Sequence, residues 1–289
     1  MDYISKNYEK RHLYSGIHGY HAHHGAEFNR PKGYSLNKYR IGVELEVEFP
    51  NRDAANDFKN AKSNWFYLER DSSIGTCDAE GIEIITIPLR PQDAKDFNFW
   101  YDHLTQHIGD DARSWDTNGR CGLHVHIGNE RLGGCAEAIQ ETRAKLIYFH
   151  EHFLKDHPIT KAVYGRGRSY HEFDGQTREG ASAVHVRDFL KKNRSAQNNL
   201  KKATIELNRQ IRYHAINITN PRTTEFRLGK GSLNPNRIAA VVEWCDLQCE
   251  YARSINWGQM SVEDFFEFLR LRTNTSGNLY AYISEWVRP

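Results

Sequence analysis

The sequence predicts an α+β fold, a β-sheet backed by helices. Four short segments alternate apolar with charged residues, several longer ones repeat apolar residues at helical spacing, and no internal repeat runs through the chain. At 289 residues the chain is long enough to bury a substantial core.

Residues 1–38 are polar and turn-rich, with His18, His21, His23 and His24 close together, and read as an irregular His-rich arm ahead of a domain over residues 39–289. From Ile41 to Phe49 the alternation is strict. Ile41, Val43, Leu45, Val47 and Phe49 share one face and Glu44, Glu46 and Glu48 the other, which predicts a half-buried strand. A helix is expected over Arg52–Ser63, a short strand over Trp65–Leu68, a turn-rich connection over Asp71–Gly81 and a second long strand over Gly81–Leu89, closed by Pro88 and Pro91. An amphipathic stretch from Asp93 to Ile108 carries Phe97, Trp100, Tyr101 and Leu104, and Leu123–Gly128 forms the next strand.

Glu137–Leu154 has the apolar spacing of a packed helix, and Pro158 marks its end. Residues 164–183 hold four glycines and three arginines with little periodicity and are expected to be a long mobile loop, of a length that lids often have. Val186–Ala203 reads as helix, and Tyr213–Leu228 as two strand-like runs split by a turn at Asn220-Pro221. Arg237–Ile255, Val262–Leu271 and Leu279–Val287 complete the chain as helices.

Composition narrows the function classes. Thirty-nine basic against 37 acidic side chains leave a net charge of +2 without long blocks of one sign, so the electrostatic footprint of a nucleic-acid binder is missing. No apolar run approaches the roughly 20 residues of a spanning helix, and the N-terminus lacks a signal-peptide core; the expectation is a cytoplasmic protein with no membrane partner. Five cysteines without a CxxC pair suit free thiols better than a disulfide framework, and Cys245 and Cys249 are expected to be buried structural residues.

The chemistry lies in a comparison of four strands. Glu44-Leu45-Glu46, Glu83 between Ile82 and Ile84, His124-Val125-His126 and Glu225-Phe226-Arg227 each set charged or metal-capable residues between apolar neighbours. On one sheet these groups converge on the face away from the helices, with strands about 4.8 Å apart and same-face residues about 7 Å apart along a strand. Carboxylates gathered so closely repel one another unless a cation compensates them, and oxygen-rich ligation with an occasional imidazole suits Mg²⁺ or Mn²⁺ better than Zn²⁺. Arg227 beside such a cluster points to an anion, with phosphate the natural candidate. The plain alternative is a polar face exposed to water, which explains any one strand well; the conjunction of four favours a site.

These motifs, in their order, resemble the amidoligase family, which groups with carboxylate-amine ligases of the glutamine synthetase and glutamate-cysteine ligase type. The residues that carry the resemblance are Gly42-Val43-Glu44-Leu45-Glu46, Asp71-Ser72-Ser73 followed by Gly81-Ile82-Glu83-Ile84, Gly122-Leu123-His124-Val125-His126, then Asn217 and Thr224-Glu225-Phe226-Arg227. It implies an antiparallel sheet curved into a funnel, and an ATP-dependent reaction in which a carboxylate is phosphorylated and an amine attacks the acyl phosphate to give an amide. It also implies two divalent ions, Mg²⁺ or Mn²⁺. Glu44 and Glu46 are then ligands, Glu83 joins one site and Glu225 the other, and His124 or His126 supplies an imidazole. Arg227 neutralises charge on the transferring phosphoryl group, with Glu46 and Glu83 also counted as catalytic. Arg120, Arg166 and Arg168 are candidate phosphate contacts. The second metal-site glutamate of glutamine synthetase has no clear counterpart; Asp71 and Asp78 are the candidates for that role.

Substrates on this reading are a small-molecule or peptide carboxylate and amine. Two competing readings stand beside the ligase: a metal-dependent hydrolase, either phosphoesterase or peptidase, and a catalytically inactive ligase-like binding protein. There is no HExxH motif, Walker A motif or GxGxxG run, so nucleotide has to bind through metals and loops.

Overall fold

The computed structural model describes residues 39–62, 64–71, 74, 80–114, 121–165, 215–273 and 277–287. The expected arm over residues 1–38, nearly all of the 164–183 loop, the helix expected over Val186–Ala203, and Arg120, Arg166, Arg168, Cys77 and Asp78 lie outside them. The chain divides into two compact units, one running to His126 and including Lys230–Ala239, the other made of Ile127–Gly229 and Ala240–Pro289. The described residues mix helix with antiparallel strand pairs, an α+β fold.

In the first unit, strands β1 (Ile41–Phe49), β2 (Phe66–Arg70), β3 (Glu80–Thr86) and β4 (Gly122–Gly128, to His126 in this unit) follow the hydrogen-bonded order β2-β3-β1-β4. β1 pairs antiparallel with β3, and β3 with β2. Helix α1 (Arg52–Lys62) starts where Asn51 Oδ1 accepts the Ala54 amide at 2.9 Å. Phe58 from α1 lies 6.0 Å from Phe49 and 5.9 Å from Phe66, ring centre to ring centre. Burying such a ring contributes about 2–3 kcal/mol and holds β1 and β2 to the helix.

β1 departs from the expectation of a half-buried strand, because all nine residues are buried. Its apolar side chains expose at most 1%, and Glu44, Glu46 and Glu48 only 2%, 5% and 4%. Alternation separates the two faces but says nothing about what covers the polar one. β3 ends at Thr86 rather than Leu89, which makes only an isolated bridge to Ile41 after Pro88. The amphipathic stretch from Asp93 is also not one helix. α2 (Pro91–Ala94) stops, Asp96 takes an extended conformation and caps the Asn98 amide, and α3 (Phe97–Trp100) continues as a π-helical turn over Tyr101–Thr105. The Trp100 indole donates to Ala94 O at 2.8 Å across the break.

In the second unit, β5 (Ile216–Asn217) and β6 (Thr223–Lys230, to Gly229 in this unit) form an antiparallel pair with Asn217 opposite Glu225. α4 (Ala136–Phe149) runs into a π-helical turn, His150–Leu154. α5 (Pro158–Tyr164) follows, with Pro158 at its start and Gly165 at φ 79° closing it, so Pro158 both ends one helical run and opens the next. α6 (Pro235–Ser254), from Ala240 onward in this unit, α7 (Val262–Arg272) and α8 (Tyr280–Val287) match the expected helices within two residues. Phe149, Tyr251 and Phe265 meet with ring centres 4.9–5.0 Å apart and centre this unit's core. Cys245 and Cys249 are buried free thiols; burial pushes both up, and Tyr164 OH lies 3.7 Å from Cys245 Sγ.

Candidate active site

Residues directly opposite on paired strands point to the same face. Glu46 of β1 faces Glu83 of β3, and Glu83 faces Glu69 of β2. The three carboxylates therefore form one row across three strands, exposing 5%, 9% and 2%. β4 adds its histidines. His124 Nδ1 lies 3.2 Å from Glu44 Oε2 and its Nε2 lies 3.9 Å from Glu46 Oε1, while His126 Nε2 lies 3.3 Å from Glu44 Oε1. The Gly122 amide donates to Glu46 Oε2 at 2.5 Å. His124 thus bridges the two β1 carboxylates from side to side, and a backbone dipole orients the second of them.

Two carboxylates about 5 Å apart repel by roughly 3 kcal/mol even at an effective dielectric of about 20, and a buried row of three compounds that cost. A divalent ion removes it. Glu46, Glu83 and His124 each offer one donor atom, and these atoms all lie within 4.8 Å of one another. Two carboxylate oxygens with one imidazole nitrogen, all buried, fit Mg²⁺ or Mn²⁺.

Glu69 was not a sequence candidate. Its strand was expected to stop at Leu68, and only the pairing with β3 puts it opposite Glu83. The one available signal was that Phe66 and Leu68 alternate in a way that places Glu69 on the other face. Asp71 sits elsewhere: its amide bonds Gly81 O at 2.8 Å, and Gly81 faces Glu48, so Asp71 belongs to the next row along.

Glu225 and Arg227 lie on β6 and are held within the second unit. Glu225 Oε2 accepts from Asn217 Nδ2 at 2.6 Å, and Arg227 Nη1 donates to Glu225 Oε1. Both are largely buried, Arg227 with 14% of its side chain exposed. The structure therefore gathers Glu44, Glu46, Glu83, His124 and His126 in the first unit and pairs Glu225 with Arg227 and Asn217 in the second.

A buried carboxylate-imidazole cluster on antiparallel strands is a metal-capable enzyme-type site. The family model described as "Putative amidoligase enzyme" matches residues 30–247, about three quarters of the chain and all of these residues, and the chain belongs to that family. Membership makes it a ligase-type enzyme. The search of curated proteins gives no match. Among the described residues no helix is long and apolar enough to cross a membrane.

Proposed function

We propose that this protein is an ATP-dependent carboxylate-amine ligase that forms an amide through an acyl phosphate, on a sheet curved into a glutamine synthetase-like funnel. The observation that carries the reading is the buried row Glu69-Glu83-Glu46 with His124 beside it. Such a row is costly alone and becomes favourable around a divalent ion.

In this reading Glu46, Glu83 and His124 hold one ion, with Glu69 as the third carboxylate of that site in place of Asp71 or Asp78. Glu44 and His126 are the candidate ligands of a second ion, and the family pattern adds Glu225 as a further candidate. When bound, Mg²⁺ or Mn²⁺ supplies charge neutralisation for phosphate oxygens. The chain's own groups then position and screen. The Gly122 amide fixes the rotamer of the Glu46 carboxylate, and Asn217 does the same for Glu225. Arg227 offers its guanidinium to the transferring phosphoryl group, where charge accumulates as the carboxylate attacks and ADP leaves. The amine then attacks the acyl carbon and phosphate departs. Water must be kept out during that interval, since the acyl phosphate hydrolyses readily. Arg120, Arg166 and Arg168 are further candidates to contact phosphate, and the substrates are a small-molecule or peptide acid and an amine.

The test incubates purified protein with ATP, Mg²⁺ or Mn²⁺ and a mixed set of carboxylates and amines, reading ADP, phosphate and new amide masses, with Glu46→Ala as the control. Metal-dependent ADP release with an amide product is expected. Metal-dependent cleavage without ATP consumption would instead establish a hydrolase.

A further inference from the structure

Arg143 lies within α4 and exposes only 3% of its surface. A guanidinium there gives up its hydration, so its donors must find acceptors inside the protein. They find them on one short piece of chain. Nε donates to Thr224 Oγ1 at 3.1 Å, and Nη2 reaches Asn220 O at 2.8 Å, Thr223 O at 2.7 Å and Asn129 Oδ1 at 3.0 Å. Asn129 grips the same piece from the other end, its Nδ2 donating to Pro221 O at 2.7 Å and its amide to Arg222 O at 3.0 Å. Every residue from Asn220 to Thr224 is held by one of these two side chains or by the Asn129 backbone.

That clamped piece is the turn that launches β6 together with the first two residues of the strand, and the residue after it is Glu225. β5 has only two residues, so its pairing with β6 contributes little to the register of that strand. A slip of one residue would send Glu225 and Arg227 to the opposite face. A planar fork of donors suits the task of fixing several carbonyls at once, where an ammonium does not.

We propose that Arg143 is a positioning residue for the Glu225–Arg227 pair, clamping residues 220–224 so that Arg227 is presented to the phosphate chain of the nucleotide. This rests on the ligase reading, and it adds a residue that touches neither substrate nor metal.

The test is a double-mutant cycle on MgATP binding, followed by calorimetry, with wild-type protein, Arg143→Gln, Arg227→Ala and the double variant. Mn²⁺ uptake without nucleotide, at Glu46, Glu83 and His124, reports on the other unit as a control. Each single variant is expected to weaken MgATP about tenfold and the double variant also about tenfold instead of about a hundredfold, because Arg143 acts through Arg227. Mn²⁺ uptake at Glu46, Glu83 and His124 stays at the wild-type level. Thr224→Val removes one acceptor of the clamp at nearly constant shape and keeps the question open to measurement should Arg143→Gln not fold; it is expected to cost about threefold, and nothing further when Arg227 is already alanine. Wild-type affinity in the clamp variants, additive losses, or Mn²⁺ uptake lost together with MgATP binding would each assign Arg143 a merely structural role and overturn the proposal. Wild-type protein that takes up no MgATP would overturn the ligase reading itself.

Discussion

Glu83 stands between two other buried carboxylates, and that position gives its variants a double signature. Glu83→Gln and Glu69→Gln each remove one charge from a row that repels itself, so the metal-free protein should be no less stable than wild type in urea. On the ligase reading the same changes also remove a ligand, and Mn²⁺ affinity should then fall by at least about tenfold. Calorimetry with a denaturation series reads both; undiminished affinity in Glu69→Gln would remove it from the site. Gly231 supplies a second case. A Cβ there would lie 2.9 Å from Cys121 Cβ and 3.0 Å from Cys121 C and O, while the Gly231 amide already bonds Cys121 O at 2.9 Å. Gly122, the next residue, donates to Glu46. Gly231→Ala should therefore cost about 1–3 kcal/mol of stability and also weaken Mn²⁺ binding, since the shift falls on backbone that holds Glu46, a proposed ligand. A loss of stability with unchanged Mn²⁺ affinity would separate the two effects and reject the link.

At the scale of elements, the helical run from Ala136 shows why periodicity alone misplaces function. α4 and the following π-helical turn read as a single helix in sequence, yet the turn buries His150. Burial first, and the nearby Lys155 second, push its imidazole down to about 4 from 6.5. The folded form thus stays neutral where the unfolded chain takes up a proton. Between pH 6.5 and about 4 the unfolded state binds more protons, and stability falls as the pH is lowered, by up to about 1.4 kcal/mol per pH unit from this group. His150→Gln lacks that contribution. Urea unfolding from pH 7 to 4.5 should show wild type losing stability faster than the variant as pH falls; parallel curves would rule out His150 as a source of acid sensitivity. The Asp93–Ile108 stretch makes the related point, because its apolar spacing is helical but Asp96 caps a new helix within it.

For the whole molecule, the proposed metal centre, built from buried carboxylates, would couple ion binding to folding. An ion that binds only the folded state stabilises it by RT ln(1 + [L]/Kd), about 2.7 kcal/mol at a hundred times Kd. Adding Mn²⁺ to EDTA-treated protein should raise the unfolding midpoint accordingly, and Glu46→Ala should diminish the rise; an undiminished rise in Glu46→Ala would place the ion elsewhere. What the sequence determined by itself was every property with a short period: which residues of β1, β3, β4 and β6 share a face, where α6 and α7 run, and the order of motifs that marks the amidoligase family. Those follow from alternation and helical spacing, which are local. Only the tertiary structure decided that the polar face of β1 is buried, that Glu69 stands beside Glu83, and that Arg143 clamps the turn before Glu225. Burial depends on what packs above a strand, and lateral register on the pairing of segments far apart in the chain, so neither is written in any one stretch of residues.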